Sequence, residues 1–235
     1  MSIEKLFQEF SSKQDEGTLK RLLKDPKPFQ YLGIKMGDIR AFGQKLPMSN
    51  LDAKAWFELN YFETKLLSTL LVDPKTVDTN LVLSWIEGAH QSVIIDKGIS
   101  HFFFELPNYQ ELLSTLSDSL SPNLEYGFFS LLSTYFRQSP LDEIDIKHSL
   151  IWLDRIGNTI IDKPLTIQNA MNNAVVMAGL HVPKLVEKAY EVAAKIGYIL
   201  PLKAKNSCNI QSATDYLIRY KDNAKYSRVA KIHQS

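Results

Sequence analysis

The hydrophobic positions of this chain recur with the period of an α-helix almost from end to end. Ile3, Leu6, Phe7 and Phe10 stand at the i, i+3, i+4, i+7 spacing that puts apolar side chains on one helical face. Leu19, Leu22 and Leu23 continue that spacing in a second short helix. Trp56, Leu59, Phe62, Leu66 and Leu70 form a longer stripe through AWFELNYFETKLLSTLL. Leu112, Leu113 and Leu116 form another, followed by Leu124, Phe128, Leu131, Leu132 and Tyr135, and later by Leu185, Ala189, Val192 and Ile196. No run alternates at period two between hairpin turn signals, so the expected fold class is all-α.

Ten prolines, from Pro26 to Pro201, are mostly spaced about one helix and loop apart. Asp73-Pro74, Ser121-Pro122 and Ser139-Pro140 place a proline shortly after a polar residue able to cap a helix, as at a first helical turn. The acidic cluster Asp142, Glu143 and Asp145 fits another helix start, where carboxylates suit the macrodipole. The pattern predicts about ten to twelve short helices with no low-complexity linker between them. Many similar helices in series suggest degenerate repeats stacked as an α-solenoid, and a compact orthogonal bundle fits the same periodicity.

Composition narrows the class. The 235 residues are 45% hydrophobic and 23% charged, ordinary values for a globular chain long enough to bury a core. No apolar run reaches the roughly 18–20 residues that span a bilayer. MSIEKLFQEF carries acids where a secretory leader would be apolar, so the expected location is the cytoplasm. A lone Cys208 excludes an intrachain disulfide and a Cys-rich zinc module.

Charge is distributed unevenly. The net charge is +1, but residues 201–235 carry +5, leaving −4 for residues 1–200. Tyr216, Tyr220 and Tyr226 are interleaved with those cations, a pairing suited to a polyanion, though a solvated C-terminal helix would look the same.

Catalytic signatures are few. Gly33 and Gly37 lack the Gly-Lys-Ser/Thr of a phosphate-binding loop, and no nucleophile elbow or His-Glu-x-x-His is present. His90, His101, His148, His181 and His233 are scattered without ligand spacing, so neither metal nor cofactor is expected. Asp96 stands out, because it interrupts the apolar SVIIDKGI, and a buried carboxylate is costly unless paired or functional. A pair with Lys97 or a capping role would also account for it.

PFQYLGIKMGDIRAFGQKL resembles the N-terminal signature of the AlkD-type DNA alkylation repair proteins, in which a Leu-Gly-Ile turn leads into a helix bearing an acid and an arginine, here Asp38 and Arg40. The resemblance continues through LNYFETKLLSTLL, WIEGAHQSVIID, LTIQNAMNNAVVMAG, KAYEVAAKIGYI and NSCNIQSATDYLIRY, which covers most of the chain. It implies HEAT-like helical repeats forming a curved α-solenoid, a single domain over residues 1–235 with a basic C-terminal segment at 201–235, and a concave face that holds duplex DNA. Active members of the family excise cationic alkylated purines such as 7-methylguanine and 3-methyladenine without a cofactor. One carboxylate can suffice, because a cationic leaving group needs no acid.

On the resemblance, the family's catalytic Asp falls on Asp96. Its sugar-packing Trp falls on Ser92, its second cleft Trp on Asn173, the following Arg on Val176, and a DNA-contacting Arg near Phe128. KRLLKDPKPF, which matches a segment bearing a lesion-facing Tyr, has none. Each absent positioning or electrostatic group is commonly worth about 10²-fold or more in rate. The expectation is therefore a protein that binds duplex DNA backbone with weak or no alkylpurine glycosylase activity. Candidate phosphate contacts are Lys35, Arg40, Lys97, Arg137, Arg155, Arg219 and Lys221, basic residues near element ends or matched blocks. Two alternatives stand beside it: an active glycosylase using Asp96, and a protein-binding helical scaffold, which the acidic balance of residues 1–200 favours.

Overall fold

A computed structural model describes residues 3–199 and 212–234; Lys203, Lys205 and Cys208 of the basic segment lie outside the described residues. The chain is divided into two compact units, residues 1–115 and 116–235. Among the described residues there is no strand, only isolated bridges such as that between Gln14 and Ile34. No helix among them is long and apolar enough to cross a membrane.

The first unit holds α1 (Ile3–Ser11), α2 (Glu16–Leu22), α3 (Met36–Gly43), α4 (Asn50–Glu58), α5 (Phe62–Leu71), α6 (Thr79–Glu87), α7 (Ser92–Ile94) and α8 (Ser100–Phe102). A single π-helical turn, Ile95–Ile99, joins the last two. Short polar residues start several of these helices by satisfying orphan amides. Asp15 accepts from the Thr18 amide at 2.7 Å, Ser49 from that of Asp52 at 3.1 Å, and Asp78 from that of Asn80 at 2.9 Å.

The long stripe from Trp56 to Leu70 is divided between α4 and α5. Leu59 turns extended, with φ −65° and ψ 139°, because the backbone of Gln30 pairs across the gap. The Gln30 amide donates to the Asn60 carbonyl at 2.8 Å, and the Phe62 amide donates to the Gln30 carbonyl at 2.9 Å. Beyond this break α5 is buried on nearly every side, packed against α3, α4 and the π turn. Phe57 of α4 stacks on Trp85 of α6 with ring centroids 4.9 Å apart.

The Leu32-Gly33-Ile34 turn is held by Glu63 of α5, whose side chain is fully buried. One carboxylate oxygen accepts from the amides of Gly33 at 2.8 Å and Ile34 at 3.2 Å, and the other from Leu32 at 2.9 Å. Gly33 sits at φ +79°, and a Cβ there would lie 2.8 Å from Cβ of Leu19, so only glycine fits.

The second unit is built on two 17-residue helices, α10 (Pro122–Gln138) and α12 (Leu165–His181), which pack extensively on each other. Around them lie α11 (Ile146–Thr159), α13 (Val186–Ile196), α14 (Ala213–Tyr220) and α15 (Arg228–Gln234), and α9 (Tyr109–Ser117) runs across the boundary between the units. Pro122 occupies the first turn of α10, as its position after Ser121 predicts. Pro74 and Pro140 instead lie in turns, and α6 and α11 begin later, at the capping residues Asp78 and Asp145. Asp145 accepts from the His148 amide at 3.0 Å and pairs with the His148 ring at 2.7 Å, so the acidic cluster does mark a helix start.

Candidate nucleic-acid interface

Asp96 lies in the π turn of the first unit, half-buried between Ile95 and the exposed Lys97. A π turn widens the helix by one residue, a local irregularity found often at functional sites. The flanking Ile94, Ile95 and Ile99 are at most 2% exposed and anchor the turn in the core. Gly98 lets it sit directly on α5, since a Cβ there would fall 2.6 Å from Oγ1 of Thr69. The Asp96 carbonyl accepts from the Ser100 hydroxyl at 2.6 Å.

Lys97 opens onto a groove of about 350 Å³ whose walls include Arg40 and Gln44 from α3 and its C-cap, Thr69 from α5, and His101 and Glu105 beyond the π turn. Arg40 and Lys97, 57 positions apart in sequence, are thereby brought to one surface, with Glu105 as the acid among these lining residues. Asp38 faces a different, smaller cavity, beside Phe42 and Lys45. The acid and arginine of the signature helix therefore serve separate surfaces.

The remaining candidate cations are dispersed. Lys35, at the N-cap of α3, pairs with Asp15 at 3.0 Å and holds that carboxyl down at about 2, with the Thr18 amide assisting. Arg155 is turned inward. Its guanidinium donates to Glu125 at 3.0 Å and to the Ser117 carbonyl, and lies 5.4 Å from the ring centroid of Phe129. Lys163 closes a triad on Glu125 at 2.8 Å, and Glu125 is only 5% exposed. Arg137 is exposed in the last turn of α10, Arg219 is exposed on α14, and Lys221 follows it, 3.5 Å from Asp222.

The positions matched to cleft residues are apolar or small. Phe128 and Val176 are fully buried, Asn173 is half-buried on α12, and Ser92 opens α7. No guanidinium or indole stands at any of the four.

Two groups that sequence reasoning missed organise the second unit. Arg228 donates from Nε to the His181 carbonyl at 2.8 Å, from Nη1 to Ser139 at 2.6 Å and from Nη2 to Phe136 at 2.8 Å, which closes the C-terminal ends of α10 and α12. His181 beside it is held down to about 4, first by burial and then by the charges of Arg228 and Arg137. The sign follows directly. Between its ordinary 6.5 and about 4, the unfolded chain takes up a proton that the folded protein refuses. This contribution to stability is complete above pH 6.5 and is lost as pH falls toward 4. Thermal midpoints should drop across that window in the native protein, and drop less in His181→Gln. Asp15 titrates below the window and does not contribute there.

Helices packed on one another in each unit make this an all-α protein. Across residues 3–217 the chain matches the family of DNA alkylation repair enzymes, and it belongs to that family. A solved structure described as a new family of proteins related to the HEAT-like repeat DNA glycosylases, with affinity for branched DNA structures, superposes at a TM-score of 0.83. The two chains are 18% identical, with 96% of each covered, a likeness that shows the shared fold. No curated protein matches the chain.

Proposed function

We propose that this protein binds the DNA backbone, preferring branched to linear duplex, and has weak or no alkylpurine glycosylase activity. The observation that carries this reading is the groove of the first unit, where Arg40 and Lys97 converge although they are far apart in sequence. Two cations lining one groove suit phosphates that lie on a continuous backbone. The branched preference draws on the described affinity of the structural relative. The low activity draws on Ser92 and Asn173, which offer no aromatic wall for a sugar, and on Val176 and the fully buried Phe128, which offer no charge for the transition state. On the second unit, the exposed Arg137 is a separate candidate contact. Lys35 and Arg155 serve it less well, since both are committed to carboxylates of the protein.

A second reading keeps Asp96 as the catalytic carboxylate, favoured by its half-buried place in a π turn.

Binding of labelled linear and branched duplexes across a range of salt, with base release from duplex containing 7-methylguanine, tests both. The native protein should show affinity that falls steeply with salt, tighter binding to the branched form, and base release at background. Replacing Arg40 and Lys97 together by Ala should reduce the salt slope by about 2, one unit per phosphate contact. A flat salt response would overturn DNA binding. Base release that disappears in Asp96→Asn would establish the second reading in place of the first.

A further inference from the structure

We propose that the C-terminal end of the second unit is a stacking surface for single-stranded DNA, formed by Tyr216, Tyr220 and Tyr226 with Arg219, Lys221 and Lys225. The inference rests on the DNA-binding reading above and deepens it, because it names the part of a branched molecule that this surface takes: an unpaired strand.

Tyr216 and Tyr220 are four residues apart on α14, so they share a face of the helix, and their ring centroids lie 4.5 Å apart. The chain then turns and returns Tyr226 to within 4.8 Å of Tyr220. The result is a row of three rings running from half-buried at Tyr216 and Tyr220 to 43% exposed at Tyr226. Such a row offers rigid π-surface at its open end while its inner members hold the geometry.

The cations alternate with the rings. Arg219, Lys221 and Lys225 are all exposed. Among the described residues no carboxylate pairs with Arg219 or Lys225, and Lys221 reaches only Asp222, at 3.5 Å. The ammonium of Lys225 stands 5.3 Å from the centroid of Tyr226. Residues 212–234 carry a net +3, and of their five cations only Arg228 is bonded inward. An incoming base would displace the Lys225 ammonium from the ring and give it a phosphate instead.

This alternation fits a polymer that alternates bases with phosphates. Unpaired bases expose their faces and stack on aromatic side chains, whereas bases within a duplex are already stacked on one another. A protein partner fits less well, because the cores of protein interfaces are depleted in lysine.

The test is fluorescence anisotropy with a labelled oligothymidylate beside a labelled linear duplex. Tyr226→Ala should weaken oligothymidylate binding by about tenfold, the loss of one stacked base, and leave linear duplex binding within about twofold of the native value. Tyr226→Phe, which keeps the ring, should bind oligothymidylate as the native protein does. Replacing Arg219 and Lys225 by Ala should lower the salt slope for the single strand by about 1.4. Native affinity for oligothymidylate in Tyr226→Ala would overturn the stacking role. A native protein that binds linear duplex but not oligothymidylate would overturn this surface while leaving the DNA reading in place. Binding to neither of these, nor to a branched duplex, would overturn both.

Discussion

Glu63→Leu should lower stability by about 3–5 kcal/mol, visible as a fall of roughly 10 °C in the thermal midpoint. Three amides, the buried ones of Gly33 and Ile34 and the half-buried one of Leu32, have this one carboxylate as their acceptor. Leucine fills the volume but leaves the two buried donors of Gly33 and Ile34, and the half-buried one of Leu32, without this acceptor, and each buried orphan costs on the order of 1–3 kcal/mol. Glu63→Gln separates shape from charge. Its carbonyl oxygen can still serve Gly33 and Ile34, but its amide nitrogen then faces the Leu32 N–H, donor against donor. About half the loss should remain. Denaturant midpoints read at constant m-value decide the matter, and a loss below about 1 kcal/mol in Glu63→Leu would mean that the turn does not depend on this carboxylate. The consequence reaches the groove, because the turn delivers α3 and with it Arg40.

That turn also shows what kinds of structure can be read along a sequence. The helical class is legible because amphipathic spacing is local: Leu6 and Phe10, or Leu112, Leu113 and Leu116, reveal their burial by position alone. The break at Leu59 is not, since it is imposed by the backbone of Gln30, about thirty residues upstream. The helix starts at Asp78 and Asp145 are local events, but nearby prolines compete for the same reading, and of Pro74, Pro122 and Pro140 only Pro122 occupies a first turn. The site divides in the same way. Asp96 is conspicuous in sequence because it interrupts an apolar run, and the tyrosines of α14 because they are interleaved with cations. The placing of Arg40 and Lys97 on one groove is tertiary, and so is the inward commitment of Arg155 to Glu125, thirty positions away. Nothing in the pattern distinguishes an arginine that faces solvent from one that closes an ion triad. Glu63 carried a faint signal, an acid one residue into an apolar helix. Arg228 carried none.

Arg228→Met should cost the protein about 3 kcal/mol and also change its response to acid. The guanidinium satisfies one carbonyl in the last turn of α10, one at its C-cap and one at the last residue of α12, where a cation also suits the helix dipoles. Methionine keeps the stem and removes every donor. Arg228→Lys should recover less than half the loss, since an ammonium cannot span three acceptors arranged for a planar fork. The acid response follows from His181. Burial is the larger cause of its lowered value and persists in both variants, but the Arg228 charge, the second cause, disappears only with methionine. The folded-state value should therefore rise part of the way from about 4 toward 6.5 in Arg228→Met and stay low in Arg228→Lys. A smaller gap between folded and unfolded states means a shallower loss of stability between pH 6.5 and 4. Thermal midpoints measured across that window should run less steeply in the methionine variant than in the native protein, and about as steeply in the lysine variant. Equal slopes in all three would mean that the Arg228 charge does not set His181 and that the arginine acts only through its hydrogen bonds.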